Sequence, residues 1–288
     1  MKRFLIAIAT ALFVTPALAA DLAAKAPPLA APAPYSWTGF YVGGNIGYGW
    51  NDPDVTFNPN DPVAQALTCG GVAGGTCAPP TSFNTNGPLG GLQAGYNWQF
   101  NQYWLLGVET DFDWSRIKGA GASNFHLGGV PPFPSNFQAD QNVEWFGTIR
   151  GRLGFLPANN LLVYGTGGFA YGRVNENVAL NAGSNGVGGA AATNGLFSYA
   201  CTVAGLNCFL GSSSRTVTGW TAGAGLEYAL ADNITLKAEY LYINLGNGNG
   251  VNVVAQNTGA ALIPSSFTAS YGTVGFSVVR VGLNYKFN

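Results

Sequence analysis

The sequence is short of charge and of the side chains most site chemistry needs. Asp, Glu, Lys and Arg make up 9% of its 288 residues, against about 25% in an ordinary soluble domain. It holds one histidine and one methionine, the initiator, so imidazole-rich metal sites and Met-lined helical grooves have little to be built from. Twelve bases against thirteen acids leave a formal net charge of −1 and no basic face for nucleic acid. Past the N-terminal region, no apolar run reaches the length of a membrane-crossing helix. No glycine-rich turn follows a strand and opens a helix, which excludes the nucleotide-binding fingerprints. What the chain has instead is glycine, 42 residues of it, and 13% aromatics.

The N-terminus reads as an export signal. Lys2 and Arg3 precede an apolar run from Phe4 to Val14, and Pro16 breaks that run ahead of the small-x-small site Ala17-Leu18-Ala19. Residues 1–19 are therefore expected to be a signal peptide, cleaved after Ala19. Residues 20–36, with Pro27, Pro28, Pro32 and Pro34, read as an extended Ala/Pro linker, and 37–288 as the folded domain. Four cysteines lie in two glycine-rich stretches, Cys69 with Cys77 and Cys201 with Cys208. An oxidising compartment and short loop closure favour a disulfide within each stretch, although pairing between the stretches stays open. The spacing is not that of a zinc site.

From Gly39 onward the apolar residues alternate with a period of two. Trp104, Leu106, Val108, Thr110, Phe112 and Trp114 share one face, with Glu109, Asp111 and Asp113 on the other. Eight such segments are expected, at 39–49, 89–100, 104–117, 141–155, 161–173, 215–229, 234–245 and 273–287, all free of proline. Glycines blur the two faces of 161–173. The connections alternate strictly between three short turns and four long loops, 50–88, 118–140, 174–214 and 246–272. Aromatics gather at both ends of the segments, as the two bilayer interfaces select. In a soluble sandwich the outer face would be polar, whereas here the charges share the face of the small residues. The fold class that follows is all-β: an eight-stranded antiparallel transmembrane β-barrel with four long extracellular loops and three short periplasmic turns.

On that alternation Glu109, Asp111, Asp113, Glu144, Glu227 and Glu239 point into the barrel, as do Arg150, Arg152, Lys237, Arg280 and Lys286. Inward glycines (Gly43, Gly47, Gly91, Gly95, Gly223, Gly225 and Gly275) leave room for them. Eight strands enclose a space that side chains fill, so near-balanced charges there read as an ion-pair core before they read as a water-filled passage.

Trp37-Thr38-Gly39-Phe40-Tyr41-Val42-Gly43-Gly44-Asn45-Ile46-Gly47-Tyr48-Gly49-Trp50 resembles the opening strand of the alphaproteobacterial outer-membrane immunogenic protein family. These are porin-like small barrels of the outer-membrane protein A transmembrane-domain type. Tyr164 to Gly172 and Val279 to Phe287 resemble two further motifs of that family. The resemblance implies a surface-exposed antigen of the Gram-negative outer membrane, with an envelope-structural or narrow porin-like role, no catalytic residues and no cofactor. The implied partners are outer-membrane lipids and, through the C-terminal strand, the barrel-assembly machinery. A second reading is an extracellular binding module, an adhesin or a haem- or ligand-capture surface, using loops 50–88 and 174–214. A third is an enzyme, for which the only set to draw on is His126 with Ser123 and Asp140, all in one loop. Mass spectrometry of the exported chain should find a mature N-terminus at Ala20; an intact Met1 would overturn the signal-peptide reading.

Overall fold

The structure, a computed structural model, describes residues 35–62, 64–65, 79–127, 133–182, 207–248, 250–255 and 265–287. Among these, eight strands close into a ring: β1 (Gly39–Asn51), β4 (Thr85–Gln99), β5 (Trp104–Leu127), β6 (Phe133–Ala158), β7 (Leu161–Ala182), β8 (Asn207–Ala231), β9 (Ile234–Asn247) and β12 (Thr273–Lys286). Each is antiparallel to its neighbours, and β12 closes the ring by pairing with both β9 and β1. Closure leaves no strand edge in the bilayer, where an unpaired backbone group would have no water to bond. At one end the connections are tight. Asn101 accepts hydrogen bonds from the backbone N–H groups of Tyr103 and Trp104, both at 2.8 Å, and fixes the β4–β5 turn.

At the other end the strands do not stop where the lipid-facing pattern stops. β5 to β8 run on through much of what the sequence suggested were loops 118–140 and 174–214. Four short strands carry on the other positions of the ring: β2 (Asp54–Pro59), β3 (Thr81–Ser82), β10 (Val251–Ala255) and β11 (Ser266–Ser270). β10 bridges β8 and β11, β11 pairs with β2, and β2 with β3. Phe83 then packs over Gly121 of β5. The eight-stranded ring stands as expected, and among the described residues the long connections carry strands of their own: a second tier of β-structure stands on the membrane barrel. The signal was weak because the tier's residues are small and polar outside, with proline at positions such as Pro59 and Pro134. The junctions between tiers need glycine at two places. Gly246 and Gly272 have φ of 77° and 62°, a region that costs other residues about 1–2 kcal/mol. The fold also brings their neighbourhoods together, with the Gly248 N–H donating to the Gly272 carbonyl at 2.8 Å.

The two tiers have opposite polarity. In the lower tier, Phe40, Ile46, Leu92, Val108, Ile149, Leu226 and Leu283 face outward and are exposed, while the charges are buried. In the upper tier, Thr56, Asn58, Gln138, Asn177, Ser212, Ser214 and Thr216 are exposed, and the inside is apolar. Phe57, Phe137, Phe209, Phe267, Val178, Leu180 and Val253 form one cluster there, with the rings of Phe57 and Phe137 stacked at 4.1 Å. Below it, Ile117, Val143, Phe146, Val174, Ile243, Leu245 and Phe276 form a second. At the turn end, Trp37, Leu105, Leu156, Leu162 and Tyr164 form a third.

The glycines of the lower tier make room for rings. A Cβ on Gly225 would sit 2.5 Å from the Tyr164 hydroxyl oxygen, and one on Gly95 would collide with Tyr41. Gly275, expected inside, lies on the outer face under the Tyr242 ring. It sits one residue out of step with Val274, Phe276 and Val278, which point inward. Replacing Gly225 with Val should lower the unfolding midpoint in lipid by about 1–3 kcal/mol through overpacking. An unchanged midpoint would mean that Tyr164 has other places to go.

The filled lumen as candidate functional site

Period-two alternation on β5 sets Glu109, Asp111 and Asp113 in one inward column. Across the ladder β6 supplies Arg150 directly opposite Glu109, and β9 supplies Glu239 directly opposite Arg280 of β12. Local register therefore places Glu109 and Glu239 beside a base, and all of these side chains are buried. Asp111 Oδ2 accepts from Arg150 at 2.8 Å and from Arg280 at 2.6 Å, which joins three strands through one oxygen. Arg280 also reaches Asp113 at 2.8 Å and, through Nε, Glu239 at 2.8 Å. Arg152 reaches Glu227 at 2.6 Å.

Other bonds cross the lumen. Lys237 faces Glu227 in register, yet its ammonium donates to both oxygens of Glu109, at 2.9 and 3.0 Å. β5 and β9 lie four places apart in a ring of eight, so this pair spans the full width of the barrel. Arg150 spans a similar gap to Glu239 at 3.0 Å. Tyrosines complete the carboxylates: Tyr41 donates to Glu109 at 2.6 Å and Tyr164 to Glu239 at 2.9 Å. The Arg152 guanidinium lies over the Tyr164 ring, 4.2 Å from its centroid. Thr235 and Asn284 donate to Glu227 at 2.5 and 2.8 Å. A charge removed from water is tolerated only when paired and hydrogen-bonded in this way, although Asp111 Oδ1, Asp113 Oδ1, Arg150 Nε and Arg152 Nε are left without a hydrogen-bond partner among the described residues.

One of the expected lumen charges lies elsewhere, and another points inward but apart from the network. Glu144 is on the outer wall, its side chain 42% exposed and 3.2 Å from Arg173 Nε. The reason is a β-bulge: the register of β6 against β7 shifts between Val143 and Trp145, so Glu144 and Trp145 both turn outward and strict alternation fails across them. Lys286 is buried at the turn end, outside the network. Its ammonium lies over the Tyr35 ring at 4.6 Å and bonds the Ser36 carbonyl. Cys69, Cys77 and Cys201 lie outside the described residues, as do the side chains of Cys208 and His126 and the cleavage site at Ala19.

A pair that period-two reading passed over sits higher, joining Glu176 in the stretch expected to be a loop to Arg215 at the start of the expected strand 215–229. Arg215 on β8 reaches Glu176 on β7 at 2.9 Å, with Gln141 donating to the same carboxylate at 3.2 Å. Burial raises the Glu176 pKa above the ordinary carboxylate value, and Arg215 only partly offsets this. The imagined catalytic set is not assembled. Ser123 shares the inward face with Gly121, which packs under Phe83, whereas Asp140 lies between the inward Ala139 and Gln141 and faces out to Asn177. Serine and acid stand on opposite faces of the wall.

Removing Arg280 by substitution with Ala would leave Asp111, Asp113 and Glu239 short of a buried partner. The cost should be about 3–5 kcal/mol of unfolding free energy in lipid, measured from urea midpoints, and an unchanged midpoint would show that the network contributes nothing to stability.

Residues 7–287 match the family described as the outer membrane protein beta-barrel domain. The 31 kDa outer-membrane immunogenic protein of Brucella melitensis is 40% identical over 296 residues, covering all of both chains. The 25 kDa outer-membrane immunogenic protein of Brucella abortus is 29% identical, covering 96% of this chain and 92% of that protein. Among solved structures, OprG from Pseudomonas aeruginosa aligns over 88% of this chain and 98% of its own, at 12% identity and a TM-score of 0.38. With a closed eight-stranded ring, an apolar outer belt and those relatives, the chain belongs to the outer-membrane β-barrel family and resides in the outer membrane.

Proposed function

We propose that this barrel does not conduct and is not an enzyme: it is a filled membrane anchor that holds a rigid β-structure at the cell surface. The observation that carries this reading is the Lys237–Glu109 pair, which spans the lumen from β9 to β5. Above it the Phe146–Phe276 cluster occupies the same cross-section, and below it Trp37 and its neighbours fill the turn end. An ion would have to cross two apolar layers and break a buried salt-bridge layer, each a barrier of several kcal/mol. The lumen charges therefore act as a structural ion-pair core. Export would proceed by the leader at 1–19, with the segment at 20–36 lying on the periplasmic side.

Ligand capture at the cell surface is the second reading. The polar outer wall of the upper tier favours it, because the shallow recess between Gln138, Asp140, Asn177 and Ser212 offers amides, a carboxylate and a hydroxyl to a solute. The choice between anchor and porin rests on current. The protein refolded into a planar bilayer, with folding checked by heat-dependent gel mobility, should stay silent. Discrete conductance steps that change in the Arg150→Ala variant would overturn the filled-anchor reading and make the ion layer a selectivity filter.

A further inference from the structure

The bases among the described residues divide by where they point. Arg150, Arg152, Lys237 and Arg280 lie in the lumen, Arg215 reaches Glu176, and Lys286 lies over Tyr35. On the outer wall, Arg173 is held by Glu144. Arg116 and Lys118 are the two left over. Both are exposed on the outer face of β5, and no carboxylate lies within ion-pair distance of either among the described residues. Being two positions apart on one strand, they stand about 7 Å from each other on the same side.

Their height is fixed by the aromatic belt. Trp114, 59% exposed, is the next outward residue below Arg116. Its strand-mate Phe112 stacks on Trp145 of β6 at 5.4 Å. Tryptophans at this position sit at headgroup depth, so the two cations project into the outer-leaflet headgroup layer. Amides flank them: Lys118 is in register with Asn86 on β4 and Asn142 on β6. The Tyr48 hydroxyl donates to the Asn86 carbonyl oxygen at 2.7 Å, which leaves the Asn86 NH2 group as the donor end of an exposed amide.

Of the neighbouring acids, Glu144 stands across from Arg116 at the bulge, and Asp52, past the end of β1, is exposed. Glu144 is engaged by Arg173, and Asp140, one outward row above Asn142, accepts from Asn177 at 2.8 Å. Asp54 is two strands away, roughly 10 Å across the sheet, and accepts from Ser82 at 2.6 Å. A guanidinium, an ammonium and two amides at headgroup depth match a tetrahedral oxyanion with several acceptor oxygens.

We propose that Arg116 and Lys118, with the amides of Asn86 and Asn142, bind the phosphate headgroup of an anionic outer-leaflet lipid. The barrel thereby carries a fixed lipid contact on the β4–β6 wall, separate from the lumen. The test uses the full chain in phosphatidylcholine nanodiscs titrated with phosphorylated lipid A, with bound lipid counted by native mass spectrometry. A cation near a charged membrane surface contributes about 1 kcal/mol, so the R116S/K118S variant should bind about thirty-fold more weakly and each single variant about five-fold. Dephosphorylated lipid A should bind the unaltered protein no better than phosphorylated lipid A binds the double variant. Should the double variant not fold, R116K/K118R preserves both charges and should keep the binding. Equal retention by variant and parent, or retention independent of the phosphate, would overturn the site. Complete displacement by millimolar inorganic phosphate would show a free-phosphate site and overturn the lipid assignment.

Discussion

A closed β-cylinder that crosses from lipid into water must exchange the polarity of its two faces at the interface, and the rest of this structure follows from that exchange. Side chains on a strand keep their alternation through the crossing, because an inward residue cannot become outward without a bulge. The change is therefore written in residue type. On β5 the inward column reads Glu109, Asp111, Asp113 and then Ile117, while the outward column reads Val108, Phe112, Trp114 and then Arg116, Lys118. Within four positions both columns have switched. Two of the bulges, between Trp114 and Ile117 on β5 and at Glu144 on β6, fall on this same level.

The low charge content takes on meaning in that light. In lipid the outer face cannot carry charge, and the interior of eight strands is too narrow to hold ions with water around them. Charges in the membrane tier must then be few, buried and mutually satisfied, as Glu109 is by Arg150, Lys237 and Tyr41. Glycine is the geometric counterpart. Tyr41 and Tyr164 lean across the inner wall to complete the carboxylates, and Gly95 and Gly225 are the floor that lets them do so.

How much of this can be read from residues alone depends on the tier. The membrane strands are legible because lipid enforces a period of two over long runs, and Arg150, Arg280 and Glu239 are placed by it directly. Glu144 is misread because a single bulged residue reverses the parity beyond it, and nothing in the local composition marks the bulge. The upper tier is harder to see, although Val55 and Phe57, or Val174, Val178 and Leu180, do alternate. Its outer face is Asn, Ser and Thr, the composition of a loop, so the strands there lack the contrast that makes the lower ones plain. The cross-lumen reach of Lys237 to Glu109 is beyond any local pattern, since it depends on which strands stand opposite once the ring has closed.

The upper tier also bears on what kind of surface protein this is. Loops that grip ligands by closing on them draw on segments of low local stability. Here the wall above the membrane is instead continuous with the barrel through β5, β6, β7 and β8, and it carries an aromatic core of its own around Phe57, Phe137 and Phe267. Among the described residues that wall is hydrogen-bonded strand to strand down to the filled barrel, and its outward side chains are polar. Recognition at that face is then a matter of fixed amides, hydroxyls and charges at set heights above the membrane. The described part of the outer wall thus sets polar side chains at fixed heights, and the cations of β5 stand lowest among them, at the level of the proposed lipid contact.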